Sequence, residues 1–169
     1  MAAFTDLDFY RIDVTAIVTF GGLATIDEKR HKACREWLKK NSYAIDTLDC
    51  RPGLADAVTA LGKLLRWEQQ FGRELESDSR DVDLLREGFE FEIAGAEGRG
   101  RVLEIIRPDQ AWREDPAWLR GLLSLAQEHS RMHLALGHRF FALLVVPEGS
   151  PFIGAAIEQT RVPGVSWNP

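Results

Sequence analysis

An α/β sandwich with a mostly parallel sheet is the fold class that this 169-residue sequence predicts, and three observations predict it. Apolar runs of strand composition recur along the chain as VTAIVTF (14–20), SYAIDTLDC (42–50), VLEIIR (102–107) and RFFALLVV (139–146). Between them lie segments whose apolar residues recur every three or four positions, the period of a helix. The last strand, like Val102-Leu103 and Ile105-Ile106 before it, is apolar without alternation, as a strand is when both faces are covered. Strands and helices in that order, joined by right-handed crossovers, give a sheet with helices packed on it.

The elements follow in order. VTAIVTF is β-branched and stops at Gly21-Gly22, which reads as a strand and a break. Asp27 then stands as the N-cap of a helix through Asn41, with Ile26, Ala33, Trp37 and Leu38 as a buried stripe under a basic surface. In SYAIDTLDC, Tyr43, Ile45 and Thr47 alternate with Ala44, Asp46 and Leu48, a strand with one wet face. Pro52 opens a helix over GLADAVTALGKLLRW (53–67), in which Gly62 marks close packing or an early stop. QQFGRELESDS (69–79) breaks the pattern and reads as a loop around Gly72, and a helix follows from about Arg80 to Glu87.

FEFEIAG and RVLEIIR flank AEGRG, which predicts an antiparallel hairpin. Asp115 and Pro116 start a long helix ending near Gly137, and RFFALLVV belongs in the middle of the sheet. The chain thus divides into a strand-helix extension (1–41), a core (42–146) and a tail (147–169) that holds a short helix near 151–158 and is tied back by Trp167.

Apolar content of 45% and charged content of 28% are ordinary for a soluble globular chain. A pI near 5.4 argues against direct binding of nucleic acid, which calls for a basic face. No run approaches the ~20 apolar residues of a membrane span, and MAAFTDLDFYRID lacks the basic and apolar parts of an export signal, so a cytoplasmic location is expected. Cys34 and Cys50 read as small buried hydrophobes rather than a disulfide framework.

Charge is concentrated in one stretch. Glu68 to Glu97 carries ten acids and three bases in thirty residues, a net −7, while the remainder sums to +2. Within it Val82, Leu85 and Phe89 face one side of the helix, and Asp83 and Glu87 stand one turn apart on another. Like charges at that spacing cost an isolated helix roughly 0.2–0.5 kcal/mol, which a fold tolerates on a solvated acidic face and recovers when the surface meets something positive.

From Ser42 to Val146 the order of these pieces resembles the barstar family, the small intracellular inhibitors of secreted ribonucleases. The strand YAIDTLDC leads into the helix LADAVTALGKLL, followed by the aromatic-glycine pair Phe71-Gly72 and by DVDLLRE (81–87), similar to the family's N-L-D-A-L-x-D helix. VLEI (102–105), a long helix and FALLVV (141–146) complete the set. The resemblance implies a barstar-like two- or three-layer sandwich and no catalysis or cofactor. It implies a basic ribonuclease or nuclease toxin as partner, whose active site is plugged by the acidic helix and its preceding loop. Asp83 and Glu87 would mimic RNA phosphates, Phe71 and Gly72 would pack on the target, and Glu128 would supply a further carboxylate from the long helix. This chain departs from the family by the longer loop RELESDS and by Arg86, which stands where an aromatic residue is common.

Two other functions fit the same residues. One is a protein-interaction module of this fold with no nuclease partner. The other is a small hydrolase in which Asp83, Glu87 and Glu104 line a cleft, which requires the three to converge. His129 and His133 have the spacing of a metal pair but no third ligand nearby, and GRGR (98–101) lacks the ending of a phosphate loop and reads as a turn. Trp112 and Trp118 read as core or capping groups.

Overall fold

A computed structural model describes residues 11–90, 100–150, 156–157 and 160–161. In chain order they form α1 (Ile12–Val14) continued by a π-helical turn (Thr15–Thr19), β1 (Leu23–Asp27), α2 (His31–Lys40), β2 (Tyr43–Asp49), α3 (Leu54–Leu64), α4 (Trp67–Phe71) and α5 (Val82–Gly88). There follow β3 (Gly100–Ile106), α6 (Pro108–Glu114), α7 (Pro116–Ala135), β4 (Arg139–Val146), β5 (Ala156–Ile157) and β6 (Thr160–Arg161).

Four strands make one parallel sheet in the order β1-β4-β3-β2. The step from β1 to β2 crosses the whole sheet in one direction, and the next two connections step back. Right-handed crossovers therefore place α2 on one face and α3 to α7 on the other. The apolar clusters agree. Cys34 and Leu38 of α2 join Ala16, Ile17, Ala24, Ile26, Val102, Phe141 and Leu143 on one side of the sheet. Leu103, Ile105, Phe140, Ala142 and Leu144 meet Leu54, Leu61, Leu85 and Leu122 on the other. The sandwich has three layers, with β3 and β4 apolar toward both.

Several expectations are corrected. VTAIVTF is helical, and the edge strand is LATID, just beyond the glycine break. Gly21 and Gly22 have positive φ, Gly22 N–H donates back to Ala16 O at 2.9 Å, and Gly22 O accepts from Ala142 N at 2.8 Å to start the ladder with β4. Leu23, Ala24, Thr25 and Ile26 are all buried, so double-sided burial outweighed the β-propensity of the earlier run. Asp27 caps a turn through Lys29 N, and α2 begins at His31.

The antiparallel hairpin is also replaced. RVLEII pairs in parallel with β2 and β4 along its length, because a strand apolar on both faces belongs in the interior of a parallel sheet. Phe89 and Glu90 are not in a strand, and the rest of FEFEIAG lies outside the described residues. Gly100 and Arg101, assigned to a turn, begin β3. The sequence pattern also missed α4, which runs from the end of the expected helix into the expected loop, and α6. In the tail, Ala156–Ile157 pairs antiparallel with Thr160–Arg161 where a helix was expected, and Trp167 lies outside the described residues.

Two polar networks hold the α2 layer to the sheet. Buried Asp13 accepts hydrogen bonds from Arg11, from Tyr43 Oη at 2.5 Å and from Arg139 at 3.4 Å. Burial, then the Asp13 charge, holds the Tyr43 hydroxyl well above its ordinary pKa. Glu104, fully buried on β3, meets His31 Nε2 at 2.5 Å and accepts from Arg35 Nη1 at 2.9 Å and Thr47 Oγ1 at 3.0 Å. A buried carboxylate persists only when so paired. Replacing Glu104 with Ala removes the acceptor but leaves His31 and Arg35 partly wet, so urea denaturation should show a loss of roughly 1–3 kcal/mol. An unchanged midpoint would mean that the network holds nothing.

Candidate functional site: the acidic helix and its loop

α5 is only seven residues long, too short to persist without tertiary support. Asp81 caps it, accepting from Asp83 N at 2.9 Å and Leu84 N at 3.2 Å, so this acid is spent on the helix itself. Leu85 is fully buried, and Val82 packs over Gly121 of α7 so closely that a Cβ on Gly121 would lie 2.3 Å from a Val82 methyl. At the other end Gly88 lies against the rings of Trp67 and Phe71. Gln70 Nε2 ties the two helices by donating to Leu65 O at 2.6 Å and Gly88 O at 3.2 Å.

The loop is fixed as well. Leu75 is buried against Gly62 of α3, where a Cβ would come within 2.7 Å of it; of the two readings of Gly62, close packing is the one realised. Arg80 donates to Ser77 O and Ser79 O. Gly72 ends α4 with φ of 70°, its N–H on Glu68 O at 2.9 Å, and space around its Cα is open. Phe71 stacks on buried Trp67 at 4.4 Å between ring centroids and keeps 39% of its surface exposed.

Five of the six residues singled out in the sequence share one surface. Asp83 and Glu87 project from α5 to solvent, with the Asp83 side chain 87% exposed. Arg86 lies between helices, donating to Asp83 Oδ1 at 3.0 Å and to Glu128 Oε1 of α7 at 3.3 Å. Phe71 borders the group through its packing on Gly88. Gly72 is brought near only as the cap of α4. Three carboxylates and one guanidinium leave the group at −2. Exposed pairs such as Arg86–Asp83 contribute about 0–1 kcal/mol, so a visiting cation displaces them cheaply.

Glu104 does not join them. It lies on the opposite face of the sheet, bound to His31, Arg35 and Thr47, so the convergence expected for a hydrolase cleft is not realised. The polar cluster around Glu104 was missed, although a lone acid within VLEII was a visible sign of a buried charge needing partners. Cys34 and Cys50 are buried free thiols, each pushed up to about 12, chiefly by desolvation. Trp118 is buried. Among the described residues no group of three side chains is placed to hold a metal, and no helix is long and apolar enough to cross a membrane.

Comparison with known proteins finds no matching family model, no matching curated protein and no matching solved structure.

Two outcomes are expected. Gly121→Ala should destabilise the fold by about 1–3 kcal/mol through overpacking, and Val82→Ala in the same chain should restore most of the loss; additive effects would refute the contact. His129, packed against Phe89 at 4.9 Å, has its pKa lowered by burial, with Glu128 and Glu90 pulling weakly the other way. Its unfolded form therefore binds the proton more tightly. The stability it contributes is complete above the ordinary histidine value near 6.5 and falls as pH drops through that value toward the lower folded one. Denaturation at pH 7.5 and pH 5 should show the loss, and His129→Leu should reduce the difference.

Proposed function

We propose that this chain is a barstar-like inhibitor or immunity protein of the cytoplasm. It blocks the basic active site of a ribonuclease-type toxin with α5 and the loop before it, and needs no cofactor and no catalysis of its own. The observation that carries this reading is that Asp83 and Glu87 stand outward, one turn apart, on a short helix fastened at both ends. Carboxylates held in that way present anionic oxygens to a cationic cleft as an RNA backbone would. Because the helix is already fixed, binding orders little, and less of the interaction energy is lost. Phe71, packed on Gly88, and Glu128, bonded to Arg86, extend the same surface.

Arg86 favours a second reading, a protein-interaction module of the same fold without a nuclease partner. It places a cation between Asp83 and Glu128, where a purely basic cleft would be repelled.

Association with a panel of basic secreted microbial ribonucleases separates the two. Wild-type protein should bind a member of the panel, with affinity falling as salt rises. Asp83→Asn with Glu87→Gln should keep the thermal midpoint, lower affinity by about a hundredfold or more and flatten the salt dependence. Unchanged binding by the double variant would remove α5 from the interface. Binding to none of the panel would favour the module.

A further inference from the structure

Among the described residues four large apolar side chains are exposed: Val18, Phe71, Met132 and Leu136. Their placement is uneven. Met132 on α7 and Leu136, its C-cap residue, follow Glu128 at spacings of four and eight residues, so the three run along one side of the helix and its end. Glu128 is the carboxylate that holds Arg86, and α5 lies along the preceding turns of α7, with Val82 over Gly121 and Phe89 against His129. Met132 is 47% exposed and Leu136 63%. An apolar stripe thus continues the acidic group directly, while Phe71 borders the group at Gly88.

We infer that Met132 and Leu136 are the apolar anchor of the interface whose charged half is Asp83, Glu87 and Glu128, an inference that rests on the function proposed above. The occupant is a cationic protein that carries an apolar ridge beside its basic cleft. Charge complementarity selects it. A second copy of this chain meeting the stripe face to face would bring two acidic groups together, and like charges opposed across an interface are costly. Methionine suits such an anchor, because its unbranched polarizable chain repacks against partners of different shape. The two halves then divide the work. The carboxylates steer the encounter and set the on-rate, and the apolar pair, once dry, sets the residence time.

The test uses the full chain and the same ribonucleases, inactivated at a catalytic histidine, with association and dissociation followed separately. Met132→Ala with Leu136→Ala removes exposed side chains, so the fold should be kept. For a binding ribonuclease this variant should raise koff by about tenfold or more and leave kon and its salt slope unchanged. Asp83→Asn with Glu87→Gln should lower kon and flatten its salt slope, which the Met132/Leu136 variant leaves alone. Val18→Ala, in the other layer, should change neither rate. An unchanged koff in the Met132/Leu136 variant, with wild-type protein binding, overturns the anchor and leaves the acidic site standing. A wild-type dimer by sedimentation that the same variant disperses overturns it too, by making a second copy the occupant. Failure of the wild type to bind any of the panel removes both proposals together.

Discussion

Double-sided burial of β3 and β4 is the constraint on which the rest of the molecule depends. Val102, Phe141, Leu143 and Val145 face one way, and Leu103, Ile105, Phe140 and Leu144 the other, and all are buried. A fully buried side chain of this size contributes about 1.5–3 kcal/mol, so leaving either face open would forfeit an amount comparable to a typical domain's whole net stability. The helices between β2 and β4 lie on one face only, since every crossover there steps in the same direction. The other face must be covered from outside that unit, and residues 12–40 cover it. Their strand takes the free edge beside β4, and α2 crosses the sheet to reach β2. Residues 12–40 are thus a structural layer of the sandwich.

Covering a face that carries Glu104 sets a further condition. An unpaired carboxylate at zero exposure would cost more than the apolar contacts around it return. His31 at the first position of α2 and Arg35 one turn later both reach it, so the helix can sit over the sheet in one register. The acidic helix answers the opposite problem. Its charges must stay wet while the helix stays folded, so apolar contacts at Leu85, Val82 and Gly88 fix it from beneath and leave its outer surface to solvent.

What was legible in the sequence followed from signals that tertiary structure leaves alone. FFALLVV (140–146) is apolar throughout and lies inside the sheet; α7 begins at the Asp115-Pro116 cap; Val82, Leu85 and Phe89 turn inward while Asp83 and Glu87 turn outward. What was illegible depended on distant partners. LATID has no strong strand signature by itself and becomes a strand because β4 pairs with it and both its faces are covered. VTAIVTF has that signature and is helical, because Asp13 and the turn at Gly21-Gly22 hold it across the end of the sheet. The hairpin failed because two apolar arms around a glycine turn look the same whether they pair with each other or with strands elsewhere. In the site, the acids could be read but their partner could not: sequence spacing brings Arg86 near Asp83, whereas its bond to Glu128 exists only because α5 lies along α7.

On the proposed function, that bond bears on what kind of surface can dock here. Arg86 screens two of the three carboxylates in the free protein, and exposed pairs of this sort hold by about 0–1 kcal/mol, less as salt rises. A cation arriving at Asp83 or Glu128 can therefore take Arg86's place, but the guanidinium then needs another acceptor, since leaving a charge unpaired in a drying interface costs far more than the surface pair gave. The partner best matched to this group offers basic groups to Asp83 and Glu87 and an acceptor oxygen within reach of Arg86. A uniformly positive surface meets repulsion at the centre of the patch, so Arg86 weakens nonspecific cationic contacts and favours a surface of mixed charge with one geometry.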